Sequence, residues 1–92
     1  MISVEATTRF CARLRSLELN RDEVFSAINA VAANWGRPHL HGGAGIRRLL
    51  PGIFECRCGR HTRLVFSRAG DALIFDFAGN HDQVQTYLRN RG

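Results

Sequence analysis

Apolar positions along this chain recur first at helical spacing and then at alternate residues, and the change of period near Gly45 divides it into two halves. Met1 to Glu5 alternates weakly, as a short strand does. Phe10, Leu14 and Leu17 then fall on one helical face, with Thr7 or Thr8 placed to cap the helix they define. A second helix follows, in which Asn20 and Glu23 form a capping-box-like pair, Val24, Ile28, Val31 and Trp35 continue the apolar stripe, and Gly36 and Pro38 stop it. Each helix carries a single apolar face, which predicts a helical hairpin laid on one side of a sheet.

Beyond a glycine-rich loop, Gly36 to Gly45, the pattern becomes that of strands. Ile46 to Leu50 reads as a short extended segment broken by Pro51-Gly52, and the runs Ile53 to Cys58, Thr62 to Ser67 and Ala72 to Ala78 are separated by turns at Gly59-Arg60-His61 and Ala69-Gly70-Asp71. Connections so short make these strands antiparallel neighbours. Strict alternation puts Phe54, Cys56, Cys58, Leu64, Phe66, Leu73, Phe75 and Phe77 on the face that takes the helices. Glu55, Arg57, Arg63 and Asp76 then gather on the other face, with Ala78. Asn80 and Gln83 form a second cap signal, opening a terminal helix whose stripe is Val84, Tyr87 and Leu88. The expected class is α+β, two helices on one face of a small, mainly antiparallel sheet in the order β-α-α-β-β-β-α, with residues 1–92 forming one domain.

Composition adds a preference for anionic partners. The net charge of +5 is carried by 13 Arg with no Lys, and the pI is near 10.5. An arginine fork grips phosphate with two bonds and stacks on bases. A chain of this balance suits nucleic acid or an acidic protein. Three cysteines, Cys11, Cys56 and Cys58, are an odd number, and no charged start with an apolar run and cleavage site precedes them, so a reducing cytoplasm is the expected location. No apolar run is long enough to span a membrane. His39 and His41 lack a second ligand pair at metal-binding spacing, so no metal is expected. His41-Gly42-Gly43 is reminiscent of an esterase oxyanion loop, but the chain has no Gly-x-Ser-x-Gly elbow and is too short for that fold.

Two arginines and a histidine, Arg57, Arg63 and His81, stand out as equipment for binding or cutting a phosphodiester, because they combine phosphate grip with a group suited to proton transfer. His81 falls in the first turn of the terminal helix, where free amides and the positive helix end attract anions.

The motifs Arg48-Leu49-Leu50-Pro51-Gly52-Ile53-Phe54-Glu55-Cys56-Arg57, then Arg63-Leu64-Val65-Phe66, then Phe77-Ala78-Gly79-Asn80-His81-Asp82, with Tyr87 after them, resemble those of the RelE/ParE superfamily of bacterial toxin-antitoxin toxins. They are similar to that family's Leu-x-Gly-x-Tyr/Phe-x-x-Arg/Lys strand, its Arg-Leu-Val-Tyr/Phe strand and its Gly-x-His/Arg ending. The resemblance covers essentially the whole chain and is specific in the second half.

It implies a toxin that enters the ribosomal decoding site and cuts messenger RNA by attack of a ribose 2′-hydroxyl on the adjacent phosphate. A cognate antitoxin, the ribosome and messenger RNA are its partners, with no metal, cofactor or membrane. Carried over by position, Arg63 clamps the phosphate, Arg57 is a second cation, His81 is the general acid or base, and Tyr87 lies near the substrate or antitoxin surface. Glu55 stands where some of the family's nucleases have a basic residue. It is either a general base or the ion-pair partner of Arg57 or Arg63, and Tyr87 equally completes an apolar stripe. Arg47, Arg48 and Arg60 read as a basic rim for RNA. The alternative from a different class is a gyrase inhibitor of the ParE type, or a binding module of the same fold without catalysis.

Overall fold

The computed structural model describes residues 2–37 and 45–91, so the two histidines and two of the four glycines of the connecting loop lie outside the described residues. Eight elements follow in order: β1 (Ser3–Ala6), α1 (Thr8–Ser16), α2 (Arg21–Asn34), β2 (Arg47–Leu50), β3 (Ile53–Cys58), β4 (Thr62–Ala69), β5 (Ala72–Gly79) and α3 (His81–Asn90). The sheet runs β1-β5-β4-β3-β2, parallel at β1/β5 and antiparallel elsewhere. The α+β class and the mainly antiparallel sheet agree with expectation. The segment before Pro51-Gly52 is a full strand, because Arg47 and Arg48 pair with Glu55 and Phe54 and so add a fifth member.

Each helix starts on a side chain that satisfies an otherwise orphaned amide. Thr7 accepts from Phe10 N at 3.1 Å and Asn20 from Glu23 N at 3.0 Å. Asn80 and Gln83 bond reciprocally, each at 2.8 Å, to make a complete capping box. That box fixes where β5 ends and α3 begins, and thus where His81 stands.

The sheet is buried on both faces. Under α1 and α2 lie Phe10, Val24, Val31, Cys56, Cys58, Leu64, Phe66, Leu73, Phe75 and Ala78. Phe66 stacks between Phe54 at 5.7 Å and Phe75 at 4.9 Å, and Trp35 meets Phe54 and Phe66 edge-on. Cys56 and Cys58 are free thiols in this layer; burial foremost, then the neighbouring Cys58, pushes the Cys56 thiol up to about 12, so it stays protonated. On the other face a smaller cluster of Ile53, Val65, Val84 and Tyr87 is covered by α3, with Leu49, Phe77 and Leu88 against it.

This corrects strict alternation in one strand. Val65 pairs with Phe77 but Phe66 pairs with Phe75, so Asp76 is an extra residue, a β-bulge. Past it the faces exchange: Phe77 leaves the layer under α1 and α2 and joins the α3 side, where its ring stacks on Tyr87 at 4.6 Å, and Ala78 takes the core position. The expected polar face is therefore polar only at its β3/β4 end, and Asp76 stands apart from Glu55, Arg57 and Arg63.

Replacing Phe66, which has no exposed surface, by Ala should cost roughly 3–5 kcal/mol. Phe77→Ala should cost clearly less and mainly loosen α3, since of the two apolar clusters its ring packs against the smaller one. Urea unfolding of both variants checks the order; equal losses would place Phe77 in the larger core and remove the bulge.

Candidate functional site

The phosphate-binding candidates sit where β3, β4 and the first turn of α3 meet. Arg57 and Arg63 are direct cross-strand partners and share the face on which Glu55 and Val65 also lie. Glu55 is buried beside them, 7% exposed, with Arg63 Nε at 3.7 Å and Arg47 Nε at 3.9 Å from its Oε2. Of the two roles left open for it, this is the geometry of an ion-pair partner: the buried carboxylate holds the Arg63 stem while Arg63 Nη1 donates to Thr62 O at 3.4 Å. Arg57 points outward, and Gly45 packs against its stem so closely that a Cβ there would lie 2.6 Å from Arg57 Nε.

A cleft of about 390 Å³ opens at the exposed end of this row, lined by Arg60, His61, Arg63, Asn80, His81 and Asp82. His81 is the first residue of α3 and exposed, as its place after the cap requires. His61, from the turn between β3 and β4, lines the same cleft. Sequence reading treated His61 as a turn residue and missed it. The signal lay in the pairing count: Arg63 pairs with Gly79 at the end of the ladder, and His61 and His81 each lie two residues beyond that pair. Without the bulge the count would have ended on Asn80.

The site thus gathers two imidazoles, two guanidiniums and the N-terminal turn of a helix, a combination that can hold a phosphate and move a proton on each side of it. Arg60 and Arg63 belong to it directly, and Arg47 is tied to it through Glu55. Arg48 lies with Arg47 on a different cleft of about 450 Å³, beside Leu88 and Arg89 of α3.

Tyr87 is not in the group. It is 8% exposed, stacked on Phe77, and its hydroxyl donates to Asp76 at 2.5 Å and accepts from Arg91 Nη1 at 3.0 Å. It faces a separate cleft of about 810 Å³ between α1 and α3. Burial pushes the Tyr87 hydroxyl up, and the bond to Asp76 adds to that. For Asp76 burial acts upward, but hydrogen bonds from Tyr87 and Thr7, with Arg9 and Arg91 nearby, outweigh it and hold the carboxyl below its ordinary value.

Among the described residues no group of three or more His, Cys, Asp or Glu side chains is placed to hold a metal ion, and no helix is long and apolar enough to cross a membrane.

No protein-family model and no curated protein matches the chain. Solved structures do. YafQ from Escherichia coli strain BL21(DE3) superposes with a TM-score of 0.66 at 11% identity, over 91% of this chain and 98% of that one. A copper-bound mutant toxin from Helicobacter pylori gives 0.63 at 15%, over 91% and 99%. YoeB in its complex with YefM from Staphylococcus aureus gives 0.59 at 15%, over 88% and 98%. At these identities the likeness is one of fold, and the fold is that of RelE-like toxins, as the sequence motifs led one to expect.

The depressed Asp76 carboxyl carries a pH dependence with a definite sign. Its contribution to stability is complete above the unfolded-chain value of about 3.9 and is lost as pH falls through the lower folded value. Asp76→Asn should therefore be less stable than the parent at neutral pH, with the gap closing in acid. Denaturant midpoints at neutral and acid pH check it, and a gap independent of pH would mean that the loss is one of packing alone.

Proposed function

We propose that this chain is the toxin of a toxin-antitoxin pair, of the RelE/ParE kind, and cleaves messenger RNA on the ribosome in the cytoplasm without a metal. The observation that carries the reading is the convergence of His61, Arg63 and His81 on one cleft at the N-terminus of α3. Its support from outside the chain is the shared fold with YafQ, solved in a toxin-antitoxin complex with DinJ, and with YoeB, solved in complex with YefM.

The chemistry follows from what phosphodiester cleavage needs. The ribose 2′-oxygen forms a bond to phosphorus as the bond to the 5′-oxygen breaks, leaving a cyclic phosphate on one fragment and a 5′-hydroxyl on the other. One imidazole takes the proton from the 2′-hydroxyl and the other returns one to the departing 5′-oxygen, so His61 and His81 act as a pair. Charge building on the phosphate oxygens is met by Arg63, held in place by Glu55, with Arg60 and Arg57 as further cations. Arg47 and Arg48 extend the basic rim along which RNA approaches. Tyr87, committed to Asp76 and Arg91, is a support for α3 rather than a catalytic group.

Expression of the chain alone should arrest growth and create new messenger RNA ends. Arg63→Ala should lower cleavage roughly 10²–10³-fold. His61→Ala and His81→Ala should each lose roughly 10²–10⁴-fold while ribosome binding persists. Circular dichroism separates these losses from unfolding, which matters for Arg63 because its removal takes a cation from the buried Glu55. Mapping of messenger RNA ends beside chromosomal breaks decides the target: intact messenger RNA with broken DNA moves the reading to gyrase, and unhindered growth at high soluble expression removes the toxin reading.

A further inference from the structure

The end of β5 leads directly into His81, yet it is paired on one side only. Strand β1 ends at Ala6, opposite Phe75, and no strand among the described residues runs beside the outer edge of β5 from Asp76 to Gly79. The bulge at Asp76 opens that stretch, so Phe77, Ala78 and Gly79 alone continue the ladder, with Val65, Leu64 and Arg63. A bulge bends its strand and interrupts the hydrogen bonds, and a one-sided strand end beyond it is the kind of segment that opens most readily.

Helix α1 takes the place of the missing strand. Thr7 N donates to Phe75 O at 3.0 Å, Arg9 reaches Asp76 at 3.3 Å, and one turn further on Arg13 Nε donates to Ala78 O at 2.8 Å. Ala78 has no exposed surface, so its carbonyl must find a donor inside the protein. The Arg13 guanidinium lies 4.7 Å over the Phe77 ring, while its Nη2 is buried with no hydrogen-bond partner. An unpaired donor on a cation costs stability that the ring face offsets only in part. What the contact secures is the place of a backbone carbonyl three residues before His81.

Between Ala78 and His81 the chain has little slack. Gly79 pairs with Arg63, and Asn80 is locked to Gln83 by both halves of the capping box. A Cβ at Gly79 would lie 2.8 Å from Gln83 Oε1 and 3.0 Å from the Phe77 ring, so the strand end, that ring and the first turn of α3 pack tightly together. A shift at Ala78 therefore carries into the start of α3.

We propose that Arg13 is a positioning residue for the cleavage described above: by holding Ala78 O it fixes the end of β5 and, through Gly79 and the Asn80 cap, sets His81 relative to Arg63. Arg13 does not line the His61/His81 cleft, so it acts through the backbone. Its part in cleavage rests on the role given to His81; the hold on the strand end rests on the contacts alone.

A double-mutant cycle on the full chain tests this, read in cleavage of ribosome-bound messenger RNA and in NMR spectra of the isotopically labelled protein. Arg13→Met keeps an apolar stem over Phe77 and removes the donor to Ala78 O. It should lower the maximal cleavage rate roughly tenfold to a hundredfold, the scale on which small misplacements of a reacting group act, with ribosome binding unchanged. In the His81→Ala background the same substitution should change the residual rate by less than about twofold, because a residue that acts through His81 has nothing left to position. Arg13→Lys, which keeps a donor, should recover part of the rate. The signals of Gly79, Asn80 and His81 should move in Arg13→Met. Should that variant fail to fold, the cycle is run with Arg13→Lys, whose smaller loss should likewise vanish beside His81→Ala. A rate equal to the parent's, a loss of the same size with and without His81, or unmoved Gly79 and His81 signals would each overturn the proposal. A parent chain that cleaves no messenger RNA, while Arg13→Met still moves those signals, would instead overturn the functional reading and leave the hold on the strand end in place.

Discussion

One inserted residue in β5 governs the arrangement of everything on the α3 side of the sheet. Asp76 stands unpaired where β4 advances from Val65 to Phe66, so residues on either side of it face opposite ways from what alternation dictates. Phe77 thereby gains Tyr87 as a stacking partner and gives α3 an apolar footing. The extra residue also advances the pairing count by one, so that the ladder ends on Arg63 and Gly79, each two residues from a histidine of the cleft. The bulged carboxylate itself is tied by Tyr87, Arg9 and Arg91, so α1, β5 and α3 are linked at the point where the strand departs from regularity.

The two faces of the sheet divide the labour accordingly. Beneath α1 and α2 lies a continuous layer of aromatic and aliphatic side chains that supplies most of the burial, running from Phe10 through Phe75 and Phe66 to Phe54 and Trp35. The α3 face has a smaller apolar cluster at its centre, and its β3/β4 end is left for charged groups. There Glu55 is, among the described residues, the one buried charged side chain, and its two arginine partners keep it from being an isolated anion. Arg63 is thus presented by a fixed carboxylate instead of by packing. That would suit the phosphate grip proposed for it.

The two histidines of the cleft are placed by a turn and a cap rather than by a core. His81 is placed by the Asn80/Gln83 box and His61 by the hairpin between β3 and β4, while Gly79, on which Gln83 packs, leaves room for the helix to turn away: a Cβ there would lie 2.8 Å from Gln83 Oε1. Both imidazoles are exposed.

Local order alone made much of this legible. The helix stripes, the Thr7, Asn20 and Asn80 caps, the hairpin turns and the exposed arginine on β3 all follow from neighbours a few residues apart, and that is why α1, α2, α3 and the three consecutive strands stand where the spacing of residues put them. The motifs around Arg63 and His81 also pointed to the fold. Tertiary structure decided the rest: that β2 joins as a fifth strand, that Phe77 and Ala78 exchange faces, that Tyr87 is bonded to Asp76 and Arg91 and stands apart from Arg57 and Arg63, and that His61 and His81 line one cleft. Each of these turns on register between segments distant in sequence. A one-residue bulge changes register without leaving a mark in the period of the strand that carries it, because only packing against α3 and the pairing of β4 reveal which residue is the extra one.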